Sequence, residues 1–229
     1  MVEKLVSEAE WNDALAGLPA FSLPLGPVIV LAPHPDDESL ATGGLVAALA
    51  HQQTALSVVA ITDGEAAYDP AGDQKLARLR RQEQTAALSI LGVYDEQILR
   101  LRLPDRWVHE HETALSERLI DLLVKAGPTA TVIAPWSSDF HSDHEAIGRA
   151  AERATEQMGT ALVRWFWWSW HRRSIAEMTA LPLKRFAFTP QWLELKLAAI
   201  HQHKSQLGAD AILPYSILAP AHRCFEVFA

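Results

Sequence analysis

Residues 33–38 read Pro-His-Pro-Asp-Asp-Glu, so His34, Asp36, Asp37 and Glu38 crowd one imidazole and three carboxylates into a single short turn. Like charges at this spacing repel unless something positive sits among them, and a divalent cation does that. The two prolines restrict the backbone of the turn. A second cluster, Ser-Ser-Asp-Phe-His-Ser-Asp-His-Glu at 137–145, places His141 and His144 three residues apart with acids between them. Together the clusters offer His34, Asp37 and His144 as a two-histidine, one-carboxylate set, which leaves a coordination position open for water as catalytic zinc sites do. The same set suits non-haem Fe(II), so the ligands alone do not name the metal. The plainer alternatives are helix capping by Asp36, Asp37 or Ser39 and, for the second cluster, a solvated loop. Capping accounts for one acid and not for the whole set.

Both clusters need elements to position them. The run Val28-Ile29-Val30-Leu31-Ala32 is apolar without alternation, the pattern of a strand buried on both faces of a parallel sheet. Similar strands are expected at 56–62, 97–103, 129–135 and 162–170, with a last one at 223–228. Helical periodicity is expected at 8–16, where Ser7 and Glu10 form a capping box, and at 38–50, 76–91, 112–125, 143–158 and 190–206. Strand and helix alternate through the first two thirds of the chain. That order predicts an α/β, Rossmann-like single domain, with a mostly parallel sheet flanked by helices on both faces. The domain is taken as 1–229, with 1–25 as an N-terminal helical extension. Both histidine–acid clusters then follow parallel strands at their carboxyl ends, where ligands bind in open α/β sheets.

The chain has 229 residues, 49% of them hydrophobic, and a formal net charge of −8. Negative charge and a single short basic run, Arg78 to Arg81, argue against nucleic acid and anionic lipid as partners. No apolar stretch approaches the ~20 residues that span a bilayer, and no signal-peptide core follows the start. One cysteine, Cys224, excludes an internal disulfide and fits a reducing, cytoplasmic setting; its apolar neighbours predict a core position. The tryptophans at 165, 167, 168 and 170 suit a core, a subunit interface in a homo-oligomer, or a face for a sugar ring.

These residues resemble the PIG-L/LmbE-like N-acetylglucosaminyl deacetylases, which include deacetylases of mycothiol and bacillithiol biosynthesis. The likeness rests on Pro33–Glu38 and on His141-Ser142-Asp143-His144 with Gly148 behind it. Thr62-Asp63-Gly64-Glu65, Arg80-Arg81-Gln82-Glu83, Leu91-Gly92-Val93 and His203-Lys204-Ser205-Gln206 add to it. The resemblance implies a zinc-dependent hydrolase, with Fe2+ or another divalent metal as the alternative, acting on an N-acetylated amino sugar or its glycoside. By motif it implies His34, Asp37 and His144 as metal ligands, Asp36 as general base, and His141 as the cationic group at the oxyanion. Asp143 would hold His141 and raise its pKa, and Arg80 and Asp105 would contact substrate. Where some members carry a Tyr two residues before the first histidine of the second motif, this chain has Asp139, so no such Tyr role transfers. The rival expectations are a metal-dependent phosphoesterase, which often holds two ions, a non-catalytic sugar-binding protein on the same fold, and an iron oxygenase.

Overall fold

The computed structural model describes residues 6–208 and 211–229. In chain order the helices are α1 (Glu8–Leu15), α2 (Asp37–His51), α3 (Gln74–Ile90), α4 (Glu112–Ala126), α5 (Ser142–Met158), α6 (Ser169–Arg172), α7 (Ile175–Thr179) and α8 (Pro190–Ile200). The strands are β1 (Val28–Ala32), β2 (Leu56–Ala60), β3 (Ile98–Arg100), β4 (Thr131–Pro135), β5 (Ala161–Trp165), β6 (Lys184–Ala187) and β7 (Phe225–Phe228). The first five form a parallel sheet in the order β3-β2-β1-β4-β5.

Every residue of β1 is buried, because alternate side chains serve opposite layers. Val28, Val30 and Ala32 pack into one core with α2, α3 and α8, while Ile29 and Leu31 pack into another with α4 and α5. Helices therefore cover both faces, as the alternating pattern predicts. A third cluster joins α1 to the segment after β5, with Trp11 edge-on to Trp170 at 5.2 Å and 81°. The Ser7–Glu10 capping box forms, Ser7 N–H donating to Glu10 Oε2 at 2.9 Å. Of the expected N-terminal extension, residues 1–5 lie outside the described residues.

The structure departs from the sequence expectations in several places, among them the strand expected at 97–103, which covers only Ile98–Arg100. The strand expected at 162–170 stops at Trp165, because the carboxylate of Asp139 collects the N–H groups of Trp167, Trp168 and Ser169 and turns the chain into α6. The helix expected to run to 206 stops at Ile200, since residues 203–206 are drawn to polar partners on α2 and α3. The tail strand covers 225–228 and pairs antiparallel with β6, a strand too short to stand out by periodicity. Cys224 is exposed and not in the core. On β7, Glu226 instead is buried, accepting from Gly44 and Leu45 N–H of α2 and from Lys196 Nζ at 2.8 Å.

Candidate active site

Adjacent strands β1 and β4 feed helices on opposite faces of the sheet, α2 and α5. That divergence opens a crevice at their carboxyl ends, and the two histidine–acid clusters meet in it. Asp37 opens α2, His34 lies in the turn before it, and His144 is in the first turn of α5. Asp37 Oδ2 lies 3.1 Å from His34 Nδ1 and 3.3 Å from His144 Nε2. One candidate ligand atom from each of the three residues falls within 4.8 Å of the others.

The far nitrogen of each ring is held by carboxylates. His34 Nε2 is 3.2 Å from Asp105 Oδ1 and 3.2 Å from Asp143 Oδ2, and His144 Nδ1 is 3.0 Å from Asp139 Oδ2. Histidines that bind metals are commonly fixed in this way, the outer acid setting the tautomer and aiming the inner nitrogen. Asp36, Asp37, Glu38, Asp105, Asp139 and Asp143 are all buried. Such a concentration of carboxylates calls for positive charge at its centre. Burial pulls the His144 pKa down, but the charges of Asp37 and Asp139 outweigh it and lift it to about 9. His34 is raised likewise, against burial, by Asp105, Asp143 and Asp37. Asp36 is pushed up to about 6 by burial and by Asp37, with Arg80 opposing. Two aimed imidazole nitrogens and a shared carboxylate oxygen inside an acidic shell fit a divalent cation. A second possible grouping, His34, His141 and Asp143, reuses His34.

Asp143 acts differently from the sequence expectation. Its carboxylate accepts from His34 and from the backbone N–H of Arg106 (2.8 Å) and Val108 (3.3 Å). Its contact to His141 is instead its own backbone N–H, which donates to His141 Nδ1 at 3.3 Å. The His141 pKa falls to about 3, through burial and the charges of His34 and His144. With Nδ1 accepting from the Asp143 N–H, a neutral His141 ring carries its proton on Nε2.

Arg80 and Asp105 both line the cavity, yet their polar atoms are largely committed within the protein. Arg80 donates to Gly64 O (2.8 Å) and Gln206 Oε1 (2.6 Å) and lies 3.5 Å from Asp36 Oδ2. Gly64, at φ +66°, is required here: a Cβ would come 2.3 Å from Arg80 Nη1. Asp105 accepts from Ala66 N–H at 2.9 Å as well as from His34. The remaining motifs form a clasp. Glu83 takes Ser205 N–H at 2.8 Å, and His203 Nε2 meets Ser39 Oγ at 3.0 Å.

The cavity holds about 520 Å³, within the range for a small-molecule site, and its apolar wall includes Leu40, Trp167, Trp168, Ile212 and Leu213. Trp168 stacks on His141 with centroids 6.3 Å apart and planes at 20°. Trp165, Trp167 and Trp170 are buried, so the aromatic run is core and cavity wall. Sequence reasoning missed the part played by Asp139; the signal was that a ligand histidine needs an acceptor for its second nitrogen. Trp167 and Trp168 as cavity wall had no periodic signal, because they follow the strand end.

The family model for PIG-L, described as GlcNAc-PI de-N-acetylase, matches residues 29–155. The chain belongs to this family. It is 31% identical over 133 residues to a probable N-acetyl-alpha-D-glucosaminyl L-malate deacetylase 2 of Bacillus subtilis, covering 56% of this chain and 59% of that one. The chain thus spans about three fifths of the length of the curated relatives of this kind that it matches. Its fold is shared with the N,N'-diacetylchitobiose deacetylase of Pyrococcus horikoshii, at a TM-score of 0.67 and 21% identity over 99% of this chain and 94% of that one. It is also shared with the zinc-inhibited form of the teicoplanin deacetylase Orf2, at a TM-score of 0.70 and 18% identity over 88% and 96%. Among the described residues no helix is long and apolar enough to cross a membrane.

Proposed function

We propose that this PIG-L member hydrolyses the acetamide of an N-acetylated amino sugar or its glycoside, with a bound divalent metal, zinc in the first instance. The observation that carries the reading is the convergence of His34 Nδ1 and His144 Nε2 on Asp37 Oδ2, each ring backed by carboxylates, beside the uncoordinated Asp36. The relatives named as N-acetylglucosaminyl malate, diacetylchitobiose and teicoplanin deacetylases support the substrate class. The zinc-inhibited neighbour supports a divalent metal without naming the native one.

In this reading His34, Asp37 and His144 hold the metal. When bound, it supplies a water whose pKa is lowered to roughly 7 and a positive charge for the amide oxygen. Asp36, next in sequence to a ligand and steadied by Arg80, takes the proton from the attacking water. It returns that proton to the amine nitrogen as the C–N bond breaks, giving acetate and a free amine. His141 donates its Nε2–H to the carbonyl oxygen as negative charge develops there; one such donor is worth about 3–4 kcal/mol in comparable sites. Asp143 acts as a positioning residue, through its backbone on His141 and through its carboxylate on His34. Asp105 and Arg80 position His34 and Asp36 and form the cavity wall against the substrate.

We take residues 1–229 as one domain, since α1 is built into the same body through Trp11 and Trp170. The lone cysteine supports a reducing, cytoplasmic setting. The test is product counting with N-acetylglucosamine and its methyl glycoside. Acetate and free amine appearing in equal amounts support the reading. Phosphate release from phosphomonoesters with two ions per chain, and no acetate, favours a phosphoesterase instead.

A further inference from the structure

Gln206 is fully buried, behind the cavity lining rather than in it, yet it holds a side chain that faces Asp36. Its amide oxygen accepts from Arg80 Nη2 at 2.6 Å. The same nitrogen stands 3.5 Å from Asp36 Oδ2. Nη2 carries two hydrogens in a rigid plane, so an acceptor that fixes one of them sets where the other points. Nη1 is fixed too, donating to Gly64 O at 2.8 Å, while Nε has no partner among the described residues. Gln206 and Gly64 thus grip the two tips of the guanidinium and hold it against Asp36.

Gln206 is itself aimed by its neighbours. Arginine only donates, so the amide turns its oxygen to Arg80 and its NH2 to His203 Nδ1, at 3.4 Å. His203 Nδ1 then accepts, and the ring donates from Nε2 to Ser39 Oγ at 3.0 Å. Burial and the charge of Arg80 hold the His203 pKa down at about 3, which keeps Nδ1 free to accept. One residue before Gln206, Ser205 N–H and Oγ donate to Glu83 at 2.8 Å and 2.6 Å. Glu83 lies one turn beyond Arg80 on α3. Two adjacent residues of the 203–206 segment therefore seize the same helix in register, and one of them ends on Arg80.

We propose that Gln206 is a positioning residue for the reaction: by fixing Arg80 Nη2 it holds the guanidinium on Asp36 and keeps that carboxylate placed for proton transfer. This rests on the amide-hydrolysis reading above, in which Asp36 is the base. Gln206 touches neither the cavity nor His34, Asp37 or His144, so its loss falls on kcat and leaves KM and metal affinity alone.

The test compares the metal-loaded parent with Gln206→Met, Gln206→Glu, Asp36→Ala and the Asp36→Ala/Gln206→Met double variant on N-acetylglucosamine. Acetate release gives kcat and KM, and elemental analysis gives the zinc content. Losing a hydrogen bond to a charged group predicts a fall in kcat of about tenfold or more in Gln206→Met, with KM and zinc content as in the parent. Gln206→Glu keeps an acceptor for Arg80 and loses less. Once Asp36 is removed, Gln206→Met has no further effect, because the group it serves is gone. The same fold-loss with and without Asp36 overturns the proposal, since a general loosening of the fold would cost both backgrounds alike. An unchanged kcat in Gln206→Met overturns it too. Should that variant fail to fold, Gln206→Asn reads the same loss, its amide being one methylene short of Arg80. NMR of the arginine side-chain N–H groups adds a readout without turnover: Arg80 should show slowly exchanging Nη hydrogens in the parent and lose them in Gln206→Met. An Arg80 signal identical in both overturns the proposal. Anchored Arg80 hydrogens that Gln206→Met releases, in a parent that liberates no acetate, would keep Gln206 as the anchor of Arg80 and refute the deacetylase reading instead.

Discussion

Replacing Gly148 by alanine is expected to damage the site from a distance. Gly148 sits one turn after His144 on α5, where the helix crosses the end of β4. A Cβ there would come 2.6 Å from Ser137 N, 2.7 Å from Ser137 Cα and 2.8 Å from Pro135 O. These are backbone atoms of the loop leading into the second motif, so no side-chain end can swing aside. To restore ordinary contact, α5 must retreat by about 0.8 Å, carrying His144 away from Asp37. Overpacking of this kind costs about 1–3 kcal/mol, which in a chain of this size is a fall in Tm of roughly 2–12 °C. Displacing a ligand's support typically lowers metal affinity by about 10–100-fold. Melting followed by circular dichroism, and zinc affinity by competition with a chromophoric chelator, read both effects. Gly17→Ala is the control, since nothing lies within 4 Å of its Cβ and its φ is not positive; it should stay within about 0.5 kcal/mol of the parent. If Gly148→Ala melts and binds zinc like that control, the packing reasoning is wrong.

Asp36→Ala should keep the metal and lose turnover by about 100-fold or more, as removal of a general base does, while His144→Ala should lose the metal too; equal metal loss in both, by elemental analysis, would refute the division of labour. Glu112 ties α4 to α5 through Arg149 Nη2 at 2.8 Å and through Arg153. Burial pushes its pKa up, but the two arginines outweigh burial and hold it below the ordinary 4.5. Its contribution is therefore present above the unfolded pKa and lost as pH falls through the lower folded value. Because the arginines are nearly half exposed and screened, Glu112→Gln should cost no more than about 1 kcal/mol at neutral pH. That difference should shrink and vanish as pH falls below the ordinary carboxylate range, and a urea-denaturation gap that does not change with pH would contradict the assignment.

The sequence made the sheet legible because β1, β2 and β4 are short apolar runs and a long helix follows each of the first four strands, and that alternation leaves few topologies. His34, Asp37 and His144 were legible for a related reason: acids crowded around histidines need a cation, and both clusters follow buried strands. The outer acids were harder to read. Asp139 sits five residues before His144 and Asp105 lies on another loop altogether, so only the folded crevice brings them to the rings. The family resemblance pairs Asp143 with His141, yet its carboxylate turns towards His34 and leaves its backbone N–H for His141. The end of β5 and the early stop of α8 were invisible to periodicity. Each is set by a long-range polar contact, from Asp139 in one case and from Arg80 and Glu83 in the other.

Metal-dependent amide hydrolysis at the His34–Asp37–His144 centre is read by acetate release before and after metal exchange. Purified protein, chelated protein and chelated protein reloaded with zinc or Fe2+ would be compared on N-acetylglucosamine and its glycosides. Acetate is expected from the purified protein, none after chelation, and recovery on reloading with one ion per chain. Acetate release that persists undiminished in fully chelated protein, or failure to bind any divalent ion, would contradict it.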